Sequence, residues 1–183
     1  MKRRFAFALL VLWVMAAGVA ATGAALVLWG QHLDNRTIRS LAAGTDRVPR
    51  DGADPRAFAA RALYMAWRGR IPEAEAQAAG LEAATPLLRA EFHYAIGNAR
   101  MRRAFAQMEA NRIDDATAEV NLAKAAYRDA LRALPGHYDS KVNLDLAMRL
   151  VRDLPRRSNG EEDPEVQPQR LWTDLPGLPR GAP

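Results

Sequence analysis

A pair of amphipathic helices joined by a proline–glycine turn is the feature that most constrains how this chain can fold. It occupies residues 123–148, AKAAYRDALRALPGHYDSKVNLDLAM. In the first helix, one face is apolar at helical spacing and carries Ala123, Tyr127, Ala130, Leu131 and Leu134. The opposite face is polar and carries Thr117, Asn121, Lys124, Arg128 and Arg132. Pro135-Gly136 predicts the end of this helix, because proline cannot continue it and glycine tolerates a left-handed cap.

The second helix of the pair also needs a neighbour. Asp139 is a suitable N-cap, and Val142, Leu146 and Leu150 follow at intervals of four residues. Since neither helix can bury its apolar stripe alone, the pattern predicts antiparallel helices stacked as in a helical repeat. Abundant alanine, with little valine or isoleucine, favours helix over strand, and we expect no sheet.

The amino terminus has the pattern of a membrane anchor. Lys2, Arg3 and Arg4 precede residues 5–29, which contain no charged side chain. A helix of that length extends about 37 Å, enough to span the ~30 Å hydrocarbon core of a bilayer. A cleaved signal peptide is the alternative, because Ala20, Ala21 and Ala24 would suit a peptidase, but the apolar run is long for one. By the positive-inside rule, residues 1–30 form a single-pass anchor with a cytoplasmic amino terminus, and the remainder lies across the membrane.

Three further segments follow the anchor. Residues 31–53 are predicted to be a polar linker, residues 54–154 a helical domain and residues 155–183 a proline-rich acidic tail. Asp54-Pro55 and Thr85-Pro86 each place a capping side chain before a proline, which is typical of a helix start. Five helices are therefore expected in the domain, at about 54–68, 72–84, 85–111, 114–135 and 140–154.

The composition excludes several functions. Without cysteine, the chain has no disulfides, thiolate metal sites or cysteine nucleophiles. The net charge is +5, of which the amino-terminal basic residues supply three, leaving too little for a nucleic-acid binder. His32, His93 and His137 do not stand at metal-ligand spacing, and packing is the expected role of His93. No catalytic residue, cofactor site or metal ligand is identified.

Two sets of residues are candidates for binding a protein partner. Arg100, Arg102 and Arg103 form a basic cluster, which is either a solvated helix face or a patch for an acidic partner. In the tail, residues 170–179, RLWTDLPGLP, place large apolar side chains in an otherwise polar segment. This decapeptide either docks on its own helical domain or reaches a partner. The candidate residues are Arg100, Arg102, Arg103, Arg128, Leu171, Trp172 and Leu175.

Three motifs resemble tetratricopeptide repeats. YAIGNA, residues 94–99, is similar to the first helix of a repeat. A-x₂-AY-x₂-AL-x₃-P, residues 123–135, is similar to the second helix. KVNLDLAM, residues 141–148, is similar to the first helix of the next repeat. Tyr94 and Val142 occupy like positions but are 48 residues apart, against about 34 in the standard repeat. Either the middle helices or the loop near Asn111 must be longer than usual. Asp145 also replaces the expected glycine. The resemblance implies an all-α fold: a transmembrane helix, a tetratricopeptide-like stack of about five helices, and an irregular carboxy-terminal tail.

The order of these parts is similar to the MxaK-type proteins of bacterial methanol-oxidation gene clusters. That resemblance implies a periplasmic accessory protein, anchored in the inner membrane, that assists calcium insertion into methanol dehydrogenase. Its expected partners are methanol dehydrogenase assembly factors, with von Willebrand factor A-type proteins and a MoxR-type ATPase, and no nucleic acid, small-molecule substrate or cofactor. A generic envelope scaffold of another von Willebrand A and ATPase cluster is the alternative, and an enzyme is a remote third.

Overall fold

The computed structural model describes residues 2–153, and within them the regular structure is helical, with no strand. Six α-helices and one 3-10 turn follow one another: α1 Lys2–Ala42, α2 Pro55–Trp67, α3 Ile71–Glu75, the 3-10 turn Ala78–Leu81, α4 Pro86–Glu109, α5 Ile113–Ala133 and α6 Tyr138–Asp153. The all-α fold class predicted from the sequence is confirmed. The tail, residues 155–183, lies outside the described residues.

Local capping explains where two of the helices begin. The Asp54 carboxylate accepts a hydrogen bond from the Arg56 backbone N–H at 2.9 Å, directly before Pro55. The Thr85 hydroxyl accepts one from the Leu88 N–H at 3.3 Å, directly before Pro86. Each cap satisfies a backbone donor that has no partner within the helix. Both starts are those predicted.

The second helix predicted for the domain differs from the structure. In place of one helix over residues 72–84, the chain forms α3 and the separate 3-10 turn. Burial of Ile71, Ala74 and Leu81 holds this segment against α2. At Gly80, a Cβ would lie 2.2 Å from the Phe58 ring, so only glycine allows the turn to pack so closely. Tertiary packing therefore overrides the alanine-rich helix preference here.

The pair α4–α5 forms the most extensive helix–helix contact. The two helices have 24 and 21 residues and are joined by only residues 110–112, where Asn111 takes a positive φ of 56°. Longer helices, rather than a longer loop, therefore account for the unusual repeat spacing. At their crossing, a Cβ on Gly97 would lie 2.5 Å from the Tyr127 ring, so the ring packs directly on the α4 backbone.

The core consists of two adjoining apolar clusters. The first lies between α2, α3 and the first half of α4 and includes Met65, Ile71, Phe92 and Ile96. The second lies between the end of α4, α5 and α6 and includes Met101, Val120, Tyr127 and Ala147. Alanine at many of the contacts lets the helix backbones approach closely, as at Ala104, Ala123 and Ala130, which are fully buried.

The predicted buried face of α6 is wrong at two of its three positions. Val142 and Leu146 are 46% and 54% exposed, whereas Ser140 and Ala147 are fully buried. The helix is rotated because its first turn is fixed by a 2.8 Å contact between the Ser140 hydroxyl and His137 Nδ1. Small residues on the rotated face then allow α6 to pack closely against α5, and Leu150 completes this contact.

The expected linker is also wrong over its first half. Helix α1 continues through residues 31–42, so the helical domain and the apolar amino-terminal segment share one uninterrupted helix. Asp34, Thr37 and Leu41 recur at helical spacing and are buried within the chain. Two of these three side chains are polar, so the spacing of apolar residues in the sequence does not indicate a helix here. The apolar part of α1 is long enough to cross a membrane by length and composition.

Asp34 connects α1 to the start of α2. Its two carboxylate oxygens accept hydrogen bonds from Arg50 Nε and Nη2, each at 3.1 Å, and one also accepts from the Asp54 backbone N–H at 3.0 Å. The Arg50 guanidinium reaches this carboxylate across Gly30, where a Cβ would lie 3.0 Å from Nη2. The start of α2 is thus held to α1 by a bidentate, charge-assisted pair with little exposure of the carboxylate.

The contact between Gly97 and Tyr127 yields a stability prediction. Gly97→Ala should lower the free energy of unfolding by about 1–3 kcal/mol, because the new methyl group overlaps the Tyr127 ring and forces α4 and α5 apart. Thermal unfolding of the full chain in detergent micelles measures the effect. Gly136→Ala is the matched control, since a Cβ there meets no atom within 4 Å. Equal unfolding temperatures for the two variants would contradict the close contact.

The Asp34 cluster yields a second prediction, for hydrogen exchange. Asp34→Asn removes the charge that Arg50 and the Asp54 amide share, so the Asp54 N–H should exchange with solvent at least ten times faster. The control is Asp46→Asn, whose carboxylate pairs with Arg61 and Arg70 at a more exposed site. Unchanged protection of the Asp54 amide in Asp34→Asn would show that the cluster does not hold the junction.

Candidate functional site: a groove along α2, α4 and α6

An open groove follows three helices that run side by side in the same direction. Its first section, between α2 and α4, has a volume of about 380 Å³ and extends from Arg56 and Leu88 to Trp67 and Arg102. Its second section, between α4 and α6, has a volume of about 290 Å³ and includes Phe105 and Leu146. Trp67, Asn98 and Arg102 line both sections, so the two form one continuous groove.

The wall of the groove is apolar and open to solvent. Leu63 is 47% exposed, Trp67 67%, Phe105 44% and Leu146 54%. Leu146 was assigned to a buried stripe from its helical spacing, and the structure places it on the groove instead, together with Phe105. Four large apolar side chains on one concave surface are typical of a binding site, because an isolated exposed residue is ordinary but a contiguous patch is not.

The floor of the groove is held by a small polar network. The Tyr127 hydroxyl donates a hydrogen bond to Asn98 Oδ1 at 2.8 Å, and Asn143 Nδ2 donates to the same oxygen at 2.9 Å. These bonds connect α4, α5 and α6 at one point. Burial raises the pKa of Tyr127 to about 12, so its hydroxyl remains a proton donor even above the pH at which an exposed tyrosine ionises. The network therefore fixes the Asn98 side chain where it lines the groove.

Arg102 determines the position of Trp67. Its Nη2 donates a hydrogen bond to the Ala66 carbonyl oxygen at 2.9 Å, near the end of α2. The guanidinium carbon then lies 4.6 Å from the centre of the Trp67 ring. A cation in this position attracts the aromatic face. Arg102 thus orients the most exposed aromatic side chain of the groove while its own charge stays accessible to solvent.

The predicted basic cluster is divided between two surfaces. Arg100 is only 14% exposed and bonds to Glu75 Oε1 at 2.7 Å and Glu119 Oε2 at 3.2 Å. Arg103 pairs with the same Glu119 at 3.2 Å. These contacts tie α3, α4 and α5 together on the side away from Arg102, so the three arginines do not form one patch. A partner-binding role for Arg100 and Arg103 stays a prediction.

The other candidate residues lie elsewhere. Arg128 is exposed on α5 and lines neither section of the groove. Leu171, Trp172 and Leu175 lie outside the described residues. Partner binding by these four residues also stays a prediction.

His137 has a structural role that its position in a predicted turn did not indicate. Its Nε2 lies 3.3 Å from Glu91 Oε1, and its Nδ1 lies 2.8 Å from the Ser140 hydroxyl. Serine, histidine and glutamate in this order resemble a nucleophile with its base, but Ser140 is fully buried and no substrate can reach it. The three residues instead connect the first turn of α6 to α4. The histidine followed by serine three residues later at a helix start is the signal that could have suggested this role.

His93 lies on α4, where the sequence suggested packing. It is half-buried, and its ring lies edge-on to Phe92 with 5.0 Å between centroids. Burial lowers the pKa of its imidazole, which favours the neutral form. These observations support a packing role.

Within residues 2–153, no cluster of three or more histidine and acidic side chains is positioned to hold a metal ion. A comparison of the chain with protein-family models, curated proteins and solved structures finds no match. The groove is therefore the feature on which a functional proposal can be based.

Proposed function

We propose that this protein is a membrane-anchored scaffold whose groove binds an extended segment of a protein partner. The observation that carries the proposal is the set of four exposed apolar side chains, Leu63, Trp67, Phe105 and Leu146, on one continuous concave surface. Side chains of this size gain free energy when a partner covers them, at about 25 cal/mol per Å² of apolar surface removed from water.

The polar groups of the groove suit a peptide main chain. Asn98 offers an amide held in place by Tyr127 and Asn143, and an amide can bond to backbone N–H and C=O groups alike. Trp67 and Arg102 are residue types that dominate the energetics of protein interfaces. Between Leu88 and Phe105, α4 extends about 26 Å, which matches about eight residues of extended peptide.

The sequence resemblance supports a narrower proposal about the partner. The motifs shared with tetratricopeptide repeats and with MxaK-type proteins include Gly97 and Tyr127, which make the contact on which α4 and α5 cross. On this basis the scaffold acts in the periplasm, and its partners are the factors that insert calcium into methanol dehydrogenase. The anchor would hold it at the inner membrane, near von Willebrand factor A-type proteins and their ATPase.

The topology can be tested with reporter fusions. We expect a phosphatase reporter fused after Gly44, just beyond the end of α1, to be active, because such enzymes work only when exported. A reporter that works only in the cytoplasm should be inactive at the same position. The reason is the basic head, Lys2 to Arg4, which favours a cytoplasmic amino terminus. The opposite pattern of activities would overturn the periplasmic location.

The groove can be tested by affinity capture from native membranes with the full chain as bait. Trp67→Ala should reduce recovery of the specific partners at least tenfold, because it removes the largest exposed apolar side chain of the groove. The unfolding temperature should change little. Leu122→Ala is the control, since Leu122 is 47% exposed but lies on the opposite side, near His93 and Arg100.

The captured proteins decide between the two levels of the proposal. Methanol dehydrogenase or its assembly factors among the Trp67-dependent partners would support the narrower one. Trp67-dependent partners from another envelope system would refute the narrower proposal and leave the general scaffold. Equal recovery by Trp67→Ala and Leu122→Ala would refute the groove as the binding site.

A further inference from the structure

We propose that the groove has an occupant within the same chain, the segment at residues 170–179, RLWTDLPGLP. This inference rests on the proposed function of the groove as a site for extended peptides. It adds a regulatory element, because a partner must displace the chain's own segment before it can bind.

The segment has the length that the groove requires. From Leu171 to Leu178, an extended chain at about 3.1–3.4 Å per residue spans about 22–24 Å. The wall that α4 provides from Leu88 to Phe105 is about 26 Å long. Pro176 and Pro179 favour extended conformations for the residues that precede them, so little conformational freedom is lost when the segment lies along the groove.

The side chains of the segment also complement the groove. Leu171, Trp172, Leu175 and Leu178 can cover the exposed apolar wall. Asp174 supplies one negative charge in the middle of the segment, and the groove carries Arg102, which bonds to a backbone carbonyl rather than to a carboxylate in the described structure. Arg56, at the other end of the groove, already pairs with the Asp54 carboxylate at 3.0 Å, so Arg102 is the cation that Asp174 would meet.

The connection between α6 and the segment favours binding within one molecule. Helix α6 ends at Asp153, seven residues beyond Leu146 and thus about 10 Å along the helix from the groove wall. Residues 154–169 then provide sixteen residues, with an expected end-to-end distance of about 20–24 Å if flexible. Because this reach exceeds the roughly 10 Å from the end of α6 to the groove wall, the linker can bring the segment to the groove of its own molecule, where its effective concentration is high.

Engineered disulfides in the full chain test the proposal directly, because the native sequence contains no cysteine. The test pair is Ala60→Cys, on the α2 side of the groove, with Gly177→Cys in the segment. The matched control pair is Ala125→Cys, on the opposite side of the domain, with the same Gly177→Cys. Under dilute oxidising conditions in detergent micelles, the groove pair should form an intramolecular bond at least ten times faster. Adding Trp172→Ala to the groove pair should remove most of that difference.

Each other outcome overturns the inference. Equal rates for the two pairs would mean that residues 170–179 do not prefer the groove. A disulfide-linked dimer from the groove pair would mean that the groove receives the segment of a second copy. Unchanged rates with Trp172→Ala would mean that the apolar side chains do not hold the segment. Partner capture through Trp67 is measured separately. If capture depends on Trp67 but the Ala60→Cys and Gly177→Cys pair forms no disulfide, self-docking is refuted and the proposed function of the groove is not.

Discussion

The missing side chain of Gly97 is the constraint on which the functional surface depends. It allows the Tyr127 ring to rest on the α4 backbone, which brings the Tyr127 hydroxyl within 2.8 Å of Asn98. Asn98 in turn accepts a hydrogen bond from Asn143 and so fixes the distance between α4 and α6. One close contact in the core therefore helps to set the width of the groove section between α4 and α6, so core packing and binding geometry are coupled there.

The parts of the fold that were predictable are those decided by neighbours in sequence. Asp54-Pro55 and Thr85-Pro86 begin helices because the cap and the proline act within one turn. Residues 31–42 and the buried face of α6 were mispredicted because contacts between elements, rather than the apolar pattern, decide their structure. Asp34 is buried only because Arg50 and the Asp54 amide neutralise its cost, and the face that α6 buries is fixed by His137 and Ser140.

The groove was hidden from sequence reasoning for a related reason. Phe105 and Leu146 stand at helical spacing with core residues, and spacing alone does not distinguish a side chain that fills the core from one on an adjoining concave face. The arginines show the same limitation. Arg100 and Arg102 are close neighbours in sequence, yet one is satisfied by Glu75 and Glu119 and the other orients Trp67. Successive residues on a helix face different surroundings, so a cluster in sequence is divided in space.

The continuity of α1 has a mechanical consequence. Where this 41-residue helix crosses a membrane, it connects the domain to the membrane rigidly rather than through a flexible linker. The contacts of Asp34 fasten the domain to one side of that helix, about 8 Å beyond Trp29, the last residue of the apolar run. The groove then lies at a fixed distance from the apolar segment of α1 and faces a fixed direction about the helix axis. Each residue inserted into α1 between the apolar segment and Asp34 would rotate the domain by about 100° around the helix axis. The length of α1 therefore determines the orientation of the groove as well as its distance from the membrane.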